Sequence, residues 1–316
     1  MTSDSASIRP VDCIYIAAFS RDARLTRICV ASVRYFYPDV PIRVLAGSPL
    51  MPDLIRELKD YWNTSVARWQ EGDYGSGFVK LETLFGPPGE RFLVIDADTV
   101  IVGPVLDLWR ETDPPFLMDE ETLPDGEMKR LYYDWDNLSA NGLPTPRPLH
   151  VYNTGQWFGT AGIVERSEFD DLIEWTMPRR LHFPKFFMTG DQGTQNYVFN
   201  RMAHRGRQFY GRRTIMRWPP HGMSDVSLDA VRNRTAPPVV VHWAGLKKRR
   251  LGDMVNPELL VFFEEYYYSR IPMGGVLRPI RAVLDVLAQW LHNKKVRIRQ
   301  RLSGPRPASK QAGMSP

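Results

Sequence analysis

The stretch FLVIDADTVIVGP, residues 92–104, decides how this chain is read. An apolar run of strand length ends in Asp96 and Asp98, and a second apolar run follows at once. An Asp-x-Asp pair is weak by itself, since about one is expected by chance in a chain of this length. A second one, Asp134-Trp-Asp136, occurs without an apolar run before it. Context separates the two. Asp96 and Asp98 stand where a strand ends and the backbone leaves its sheet. Two readings stand for such a pair: the capping of a turn or helix, or oxygen ligands for a hard divalent cation that also takes substrate phosphates.

The surroundings place that strand. Upstream, CIYIAAF (13–19) and IRVLAG (42–47) are strand-like runs. They alternate with helical spacing at Leu25, Ile28, Cys29, Val33 and Phe36, and with further helical stretches over 52–61 and 76–85. Strands alternating with helices predict an α/β chain with a mostly parallel, Rossmann-like central sheet flanked by helices. Ligands of such sheets sit beyond the carboxyl ends of the strands, where Asp96 and Asp98 lie. Periodicity fades over 119–150, which reads as a long excursion forming a lid or acceptor loop. It resumes with VYNTGQWFG (151–159), a helix near 167–177, a helix after GDQ (190–192), a strand VVVHW (239–243) and a helix over 257–269. His242, at the end of the late strand, is either a third metal ligand or a hydrogen-bonded structural histidine. Imidazole suits Mn²⁺ better than Mg²⁺.

Net charge is +5 over 316 residues, unevenly spread. From Arg278 onward nine Lys/Arg face the single acid Asp285, so that end carries +8 and the remainder −3. A broad nucleic-acid-binding face is therefore not expected, and a local anionic partner is. Over 276–301, Val276, Ile280, Val283, Leu284, Leu287, Trp290 and Leu291 fall at helical spacing among basic residues. The segment is either a basic amphipathic helix on an anionic membrane surface or a terminal helix packed on the body. Cys13 and Cys29 read as buried small hydrophobes. The start resembles no signal peptide and no run is long enough to span a membrane. The expected address is cytoplasmic, peripherally associated with the inner face of the cell membrane. The expected organisation is a flexible N-terminus (1–11), a catalytic body (12–270), a C-terminal basic amphipathic helix (271–302) and a disordered tail (303–316).

VIDADTV, YNTGQWFG, GDQGTQNYVFN and VHWAGLKK occur in this order. Together they resemble the family 8 glycosyltransferases, the group of glycogenin and the bacterial lipopolysaccharide α-glycosyltransferases. FVKLETLFGPPGERFLVIDADTVIVGPVLDLW (78–109) looks especially like the glycogenin segment. The resemblance covers residues 13–250. It implies a GT-A nucleotide-sugar-binding fold, a nucleotide diphosphate sugar donor such as a UDP-sugar, and a glycan or lipid-linked glycan acceptor such as lipopolysaccharide or exopolysaccharide. Carried over residue by residue, it makes Asp96, Asp98 and His242 the ligands of Mn²⁺ (or Mg²⁺). Ala17, Ala18, Phe19, Lys80, Asp96, Ala97, Asn153, Gly245 and Lys248 would bind the donor, and Asp191 and Gln192 would act on the sugar's reacting face.

Departures from the family pattern bear on the donor. Gly193 stands where Asp often follows Asp-Gln, Arg249-Arg250 replace Pro-Trp, and the first strand ends in Ala-Ala-Phe-Ser without a polar base reader. Blander roles remain beside the functional ones: Lys80 as a solvated helix charge, Asn153 as a turn residue, Asp191 as a helix cap. Two other functions compete. A sugar nucleotidyltransferase would carry a Gly-rich basic loop after the first strand, where this chain has FSRDARLT. A catalytically inactive, membrane-docked nucleotide-sugar-binding protein would have no need of Asp96, Asp98 and His242 together.

Overall fold

The computed structural model describes residues 10–67, 77–110, 113–187, 190–207, 209–246 and 250–302. The tail 303–316, most of the N-terminal stretch 1–11 and Lys248 lie outside the described residues. In chain order the first half runs β1 (Cys13–Ala18), α1 (Ala23–Phe36), β2 (Ile42–Ala46), α2 (Pro52–Trp62), β3 (Thr64–Ala67), a 3-10 helix Phe78–Phe85, β4 (Arg91–Asp96) and β5 (Thr99–Ile101). Then come α3 (Asp107–Arg110), β6 (Phe116–Asp119), α4 (Asp125–Leu131), α5 (Trp135–Ala140), β7 (Gln156–Thr160), β8 (Ile173–Glu174) and β9 (Arg180–Leu181). The chain closes with α6 (Gly190–His204), β10 (Tyr210–Arg213), β11 (Met216–Arg217), α7 (Leu228–Arg232), β12 (Val240–His242), α8 (Pro257–Tyr268) and α9 (Gly274–Leu302).

The main sheet has the order β10-β6-β7-β4-β1-β2-β3. Every pairing in it is parallel except those of β7, which runs antiparallel to both β4 and β6. The connection from β1 leads to β2 on one side, and that from β3 crosses back to β4 on the other side of β1, which opens a crevice at the carboxyl ends of β1 and β4. Strand alternation sorts the core into two layers. Ile14 and Ile16 of β1, with Leu93 and Ile95 of β4, pack with α1, α2 and α8. Tyr15 and Ala17, with Phe92 and Val94, pack with the 3-10 helix and α6. A smaller sheet, β11-β12-β5, carries the chain past the crevice again.

Two expectations are corrected. The helix near 167–177 is a short 3-10 turn, Arg166–Phe169, followed by β8. Phe169, Leu172 and Ile173 are buried, so their apolar spacing reflects packing and not a helical face. The excursion over 119–150 also holds more regular structure than its pattern shows. It contains α4 and α5, of seven and six residues, and a bridge from Glu121 to Val151. Helices of under two turns are too short to display a period. Cys13 and Cys29 are both fully buried, and burial pushes the Cys13 thiol up to about 12.

Candidate active site

Asp96 is the last residue of β4 and pairs with Ala17 of β1. It continues the side of the strand that carries Phe92 and Val94, the side packed on the 3-10 helix. It therefore meets Lys80, whose Nζ lies 3.0 Å from Asp96 Oδ1. The chain then turns through Ala97, whose N–H donates to the Ala17 carbonyl, into β5. There Thr99 faces His242 across the antiparallel β5–β12 pair, and the Trp243 N–H donates to the Asp98 carbonyl. Backbone register thus carries the imidazole to the aspartates. His242 Nε2 stands 3.4 Å from Asp98 Oδ1 and 4.0 Å from Asp96 Oδ2.

The seat of that ring is set by Gly155. A Cβ there would lie 2.2 Å from His242 Cε1 and 2.5 Å from Nδ1, inside any tolerable contact. The Asn-Thr-Gly turn is itself fixed: the Gly155 N–H donates to Asn153 Oδ1, and the Gly155 carbonyl accepts from the Asp96 N–H. On its other side the ring packs against Trp218, with centroids 5.0 Å apart. Gly155→Ala should therefore displace the imidazole while leaving the sheet intact. The expected result is an affinity for Mn²⁺, titrated by electron paramagnetic resonance, lowered about 10- to 100-fold. Unchanged affinity would show that the ring's position does not matter to the ion.

Lys80 is the hub of the opposite wall. It is 3% exposed and also reaches Asp191 Oδ2 at 2.7 Å and the Thr154 carbonyl at 2.8 Å. Burial alone would lower its pKa, but the Asp191 and Asp96 carboxylates outweigh that and hold it above the ordinary lysine value. Asp96 is shifted up, by burial first and by the charges of Asp98 and Asp191. A cation among these groups would relieve that repulsion. Asp191 also accepts from Thr154 Oγ1 at 3.0 Å, and Gly77 (φ +83°) makes room for it, since a Cβ there would fall 2.4 Å from Oδ1. Gln192 is oriented by three contacts: its Oε1 accepts from Asn153 Nδ2 and, more weakly, the Thr154 N–H, while its Nε2 donates to the Leu131 carbonyl.

These groups border one cleft of about 880 Å³. Ala17, Phe19, Lys80, Asp96, Ala97, Asp98, Asn153, Asp191, Gln192, His242 and Gly245 (φ +70°) all line it. Ala18 does not; it is fully buried in the layer against α1. Lys248 lies outside the described residues. Sequence reasoning missed Arg21, Asp22, Ser48, Gly77, Leu131 and Thr154, which line the same cleft. Arg21 and Asp22 follow the carboxyl end of β1, so the rule that located Asp96 also covers them. Tyr152 and Trp243, 1% and 0% exposed, belong to the core.

The three ligand atoms of Asp96, Asp98 and His242 all lie within 4.8 Å of one another. Ligands around an octahedral ion at 2.1 Å are separated by about 3 to 4.2 Å. Two carboxylates and an imidazole are a donor set suited to Mn²⁺. The residues present fit such an ion.

No family model and no curated protein matches the chain. Solved structures do. The galactosyltransferase LgtC, in complex with donor and acceptor sugar analogs, is 15% identical at a TM-score of 0.51, over 83% of this chain and 98% of that one. An active-site mutant of LgtC is 14% identical at 0.51, with the same coverage. The apo bifunctional glycosyltransferase WbbM is 13% identical at 0.50, over 83% of this chain and 50% of that one. At these identities the likeness is one of fold, and it is the fold of the GT-A-like glycosyltransferases. The mixed α/β architecture, with its mostly parallel central sheet, is the one expected.

Proposed function

We propose that this chain is a metal-dependent retaining glycosyltransferase, of the family 8 type, that moves a sugar from a nucleotide diphosphate sugar to a glycan or lipid-linked glycan acceptor. The observation that carries this reading is the Asp96–Asp98–His242 cluster at the carboxyl edge of the sheet, opening into a cleft of about 880 Å³. Asp96, Asp98 and His242 would hold the divalent ion, which when bound supplies Lewis-acid stabilisation of charge on the departing diphosphate. Lys248 would add a fixed positive charge at that diphosphate.

The chain's own groups set the rest of the chemistry. Lys80 ties Asp96 to Asp191, so the leaving-group side and the sugar side of the cleft move as one piece. Asp191 is engaged by Lys80 and Thr154, which makes it a positioning residue. Gln192, steadied by Asn153 and the Leu131 carbonyl, is placed to orient the sugar as it becomes oxocarbenium-like. In the front-face step the bond from the anomeric carbon to the diphosphate oxygen breaks. The acceptor oxygen bonds to that carbon from the same side, and its proton passes to the departing phosphate. Catalysis is then leaving-group electrostatics and positioning.

The test is thermal stabilisation by nucleotide sugars with and without Mn²⁺. A ligand at a hundred times its Kd stabilises by about 2.7 kcal/mol, or about 4 °C for a chain of this size. The rise should require metal and nucleotide sugar together. A panel of nucleotide sugars giving no metal-dependent shift would refute the reading.

We further propose that the catalytic body, 12–270, is carried to an anionic membrane surface by the C-terminal helix, 271–302. No helix among the described residues is long and apolar enough to cross a membrane. The helix instead turns two arginines inward. Arg278 pairs with Glu264 and Glu265, and Arg281 pairs with Glu57. Two of the nine basic residues counted from the sequence are thus engaged by the body. Its apolar side chains are largely exposed: Val276, Ile280, Val283, Leu284, Leu287 and Trp290 are all at least half exposed. An apolar stripe held outward beside cationic residues suits an anionic bilayer, where each nearby Lys or Arg contributes about 1 kcal/mol.

A further inference from the structure

Where α9 leaves the body it encloses a groove of about 470 Å³ with α8 and the segment around Leu251. Its charged lining is three guanidinium groups, Arg24, Arg250 and Arg278, against the single carboxylate of Glu264. Glu264 is 2% exposed and accepts from Arg24 Nε at 2.5 Å and Arg278 Nε at 2.8 Å. One buried carboxylate therefore anchors two arginines side by side. Arg278 also pairs with the half-exposed Glu265, which is not part of the lining. Arg250 is exposed and forms no ion pair among the described residues.

The rest of the lining is apolar apart from Gly252. Ala282, Val283, Val286 and Leu287 of α9 line the groove together with Leu251 and Val261. Val283 and Leu287 belong also to the exposed stripe of the helix, so the wall runs on into the surface proposed to meet the bilayer. The groove also adjoins the cleft. Arg24, in the groove's lining, follows two residues after Asp22, which lines the cleft.

We propose that this groove binds the phosphate of an anionic membrane lipid, with its acyl chain laid along Val283 and Leu287. An excess of guanidinium donors matches phosphate geometry, and the apolar wall beside it matches the chain attached to that phosphate. A free phosphate would use the first feature alone, and a neutral lipid the second alone. The inference rests on the membrane-docking reading, adding a specific headgroup seat to what would otherwise be a diffuse attraction.

The test uses the full chain and soluble, short-chain lipids below their aggregation concentration, titrated calorimetrically. Dihexanoyl phosphatidic acid should bind about 10-fold more tightly than dihexanoyl phosphatidylcholine or inorganic phosphate. Arg250→Ala, which removes the arginine with no ion pair among the described residues, and Ala282→Trp, which fills the groove, should each weaken it about 10-fold. Circular dichroism melting would establish that both variants are folded. Equal binding of inorganic phosphate, or indifference to both substitutions, overturns the proposal. Flotation on phosphatidylglycerol vesicles separates it from the reading beneath it. A variant with Ile280→Glu, Leu284→Glu and Trp290→Glu should no longer float. If it floats like the wild type, the docking reading falls and the groove proposal with it. If it fails to float while the groove variants bind short-chain lipid like the wild type, only the groove proposal falls.

Discussion

Asp98→Ala should lower Mn²⁺-dependent sugar transfer by about 10²- to 10³-fold in kcat/KM, with the protein still folded. Asp98 is 6% exposed, and its carboxylate is the one nearest the imidazole of His242, at 3.4 Å. Without it, two ligands remain of three, and the charge that grows on a departing diphosphate loses its main counterweight. Gln192→Ala should cost less, because its amide orients the sugar and does not carry that charge. Steady-state kinetics across a Mn²⁺ titration, with donor hydrolysis followed alongside transfer, distinguishes the two. Near-normal transfer by Asp98→Ala at saturating metal would mean that the ion is not held here.

Lys80→Met should be the most destabilising single change in the cleft. The ammonium is buried and holds Asp96, Asp191 and the Thr154 carbonyl together. Methionine fills the volume and leaves two carboxylates in low dielectric without their partner, a loss of about 3–5 kcal/mol. The pH dependence has a definite sign. In the wild type the folded lysine pKa is raised, so its contribution is complete at neutral pH and is lost only as pH rises through that folded value. In the variant the stranded carboxylates bind protons more readily when folded than unfolded, so its deficit should shrink as pH falls from about 7.5 toward about 5. Urea denaturation at the two pH values measures this. Equal stability of variant and wild type would show that the ammonium is not holding the walls together.

Much of the cleft was legible because its residues sit where regular elements end. Asp96 closes a strand whose apolar run is unbroken, and His242 closes another, so each could be placed by the topological rule for parallel sheets. Asn153, Asp191 and Gln192 came from order and spacing within a resemblance, and they meet at one wall in space. What stayed hidden depends on contacts between distant segments. Gly77 matters because its lack of a Cβ leaves room for Asp191, and Leu131 because its carbonyl receives Gln192. Neither fact leaves a mark in local pattern. The helix expected near 167–177 failed for the complementary reason: buried Phe169, Leu172 and Ile173 mimic a helical stripe while packing as a turn and a strand.

β7 enters the sheet against the direction of its neighbours, and this has a consequence for how such a protein diversifies. β6 ends and β7 begins at the same carboxyl edge that carries Asp96, so the excursion over 119–150 leaves that edge and rejoins it. Apart from the Leu131 carbonyl, the segment between Glu121 and Val151 can change in length while β5, paired with β12, still holds His242 beside Asp96 and Asp98. If the chain is the transferase proposed above, its acceptor preference can drift across generations while the bond-breaking apparatus stays constant, two inheritances carried on one polypeptide.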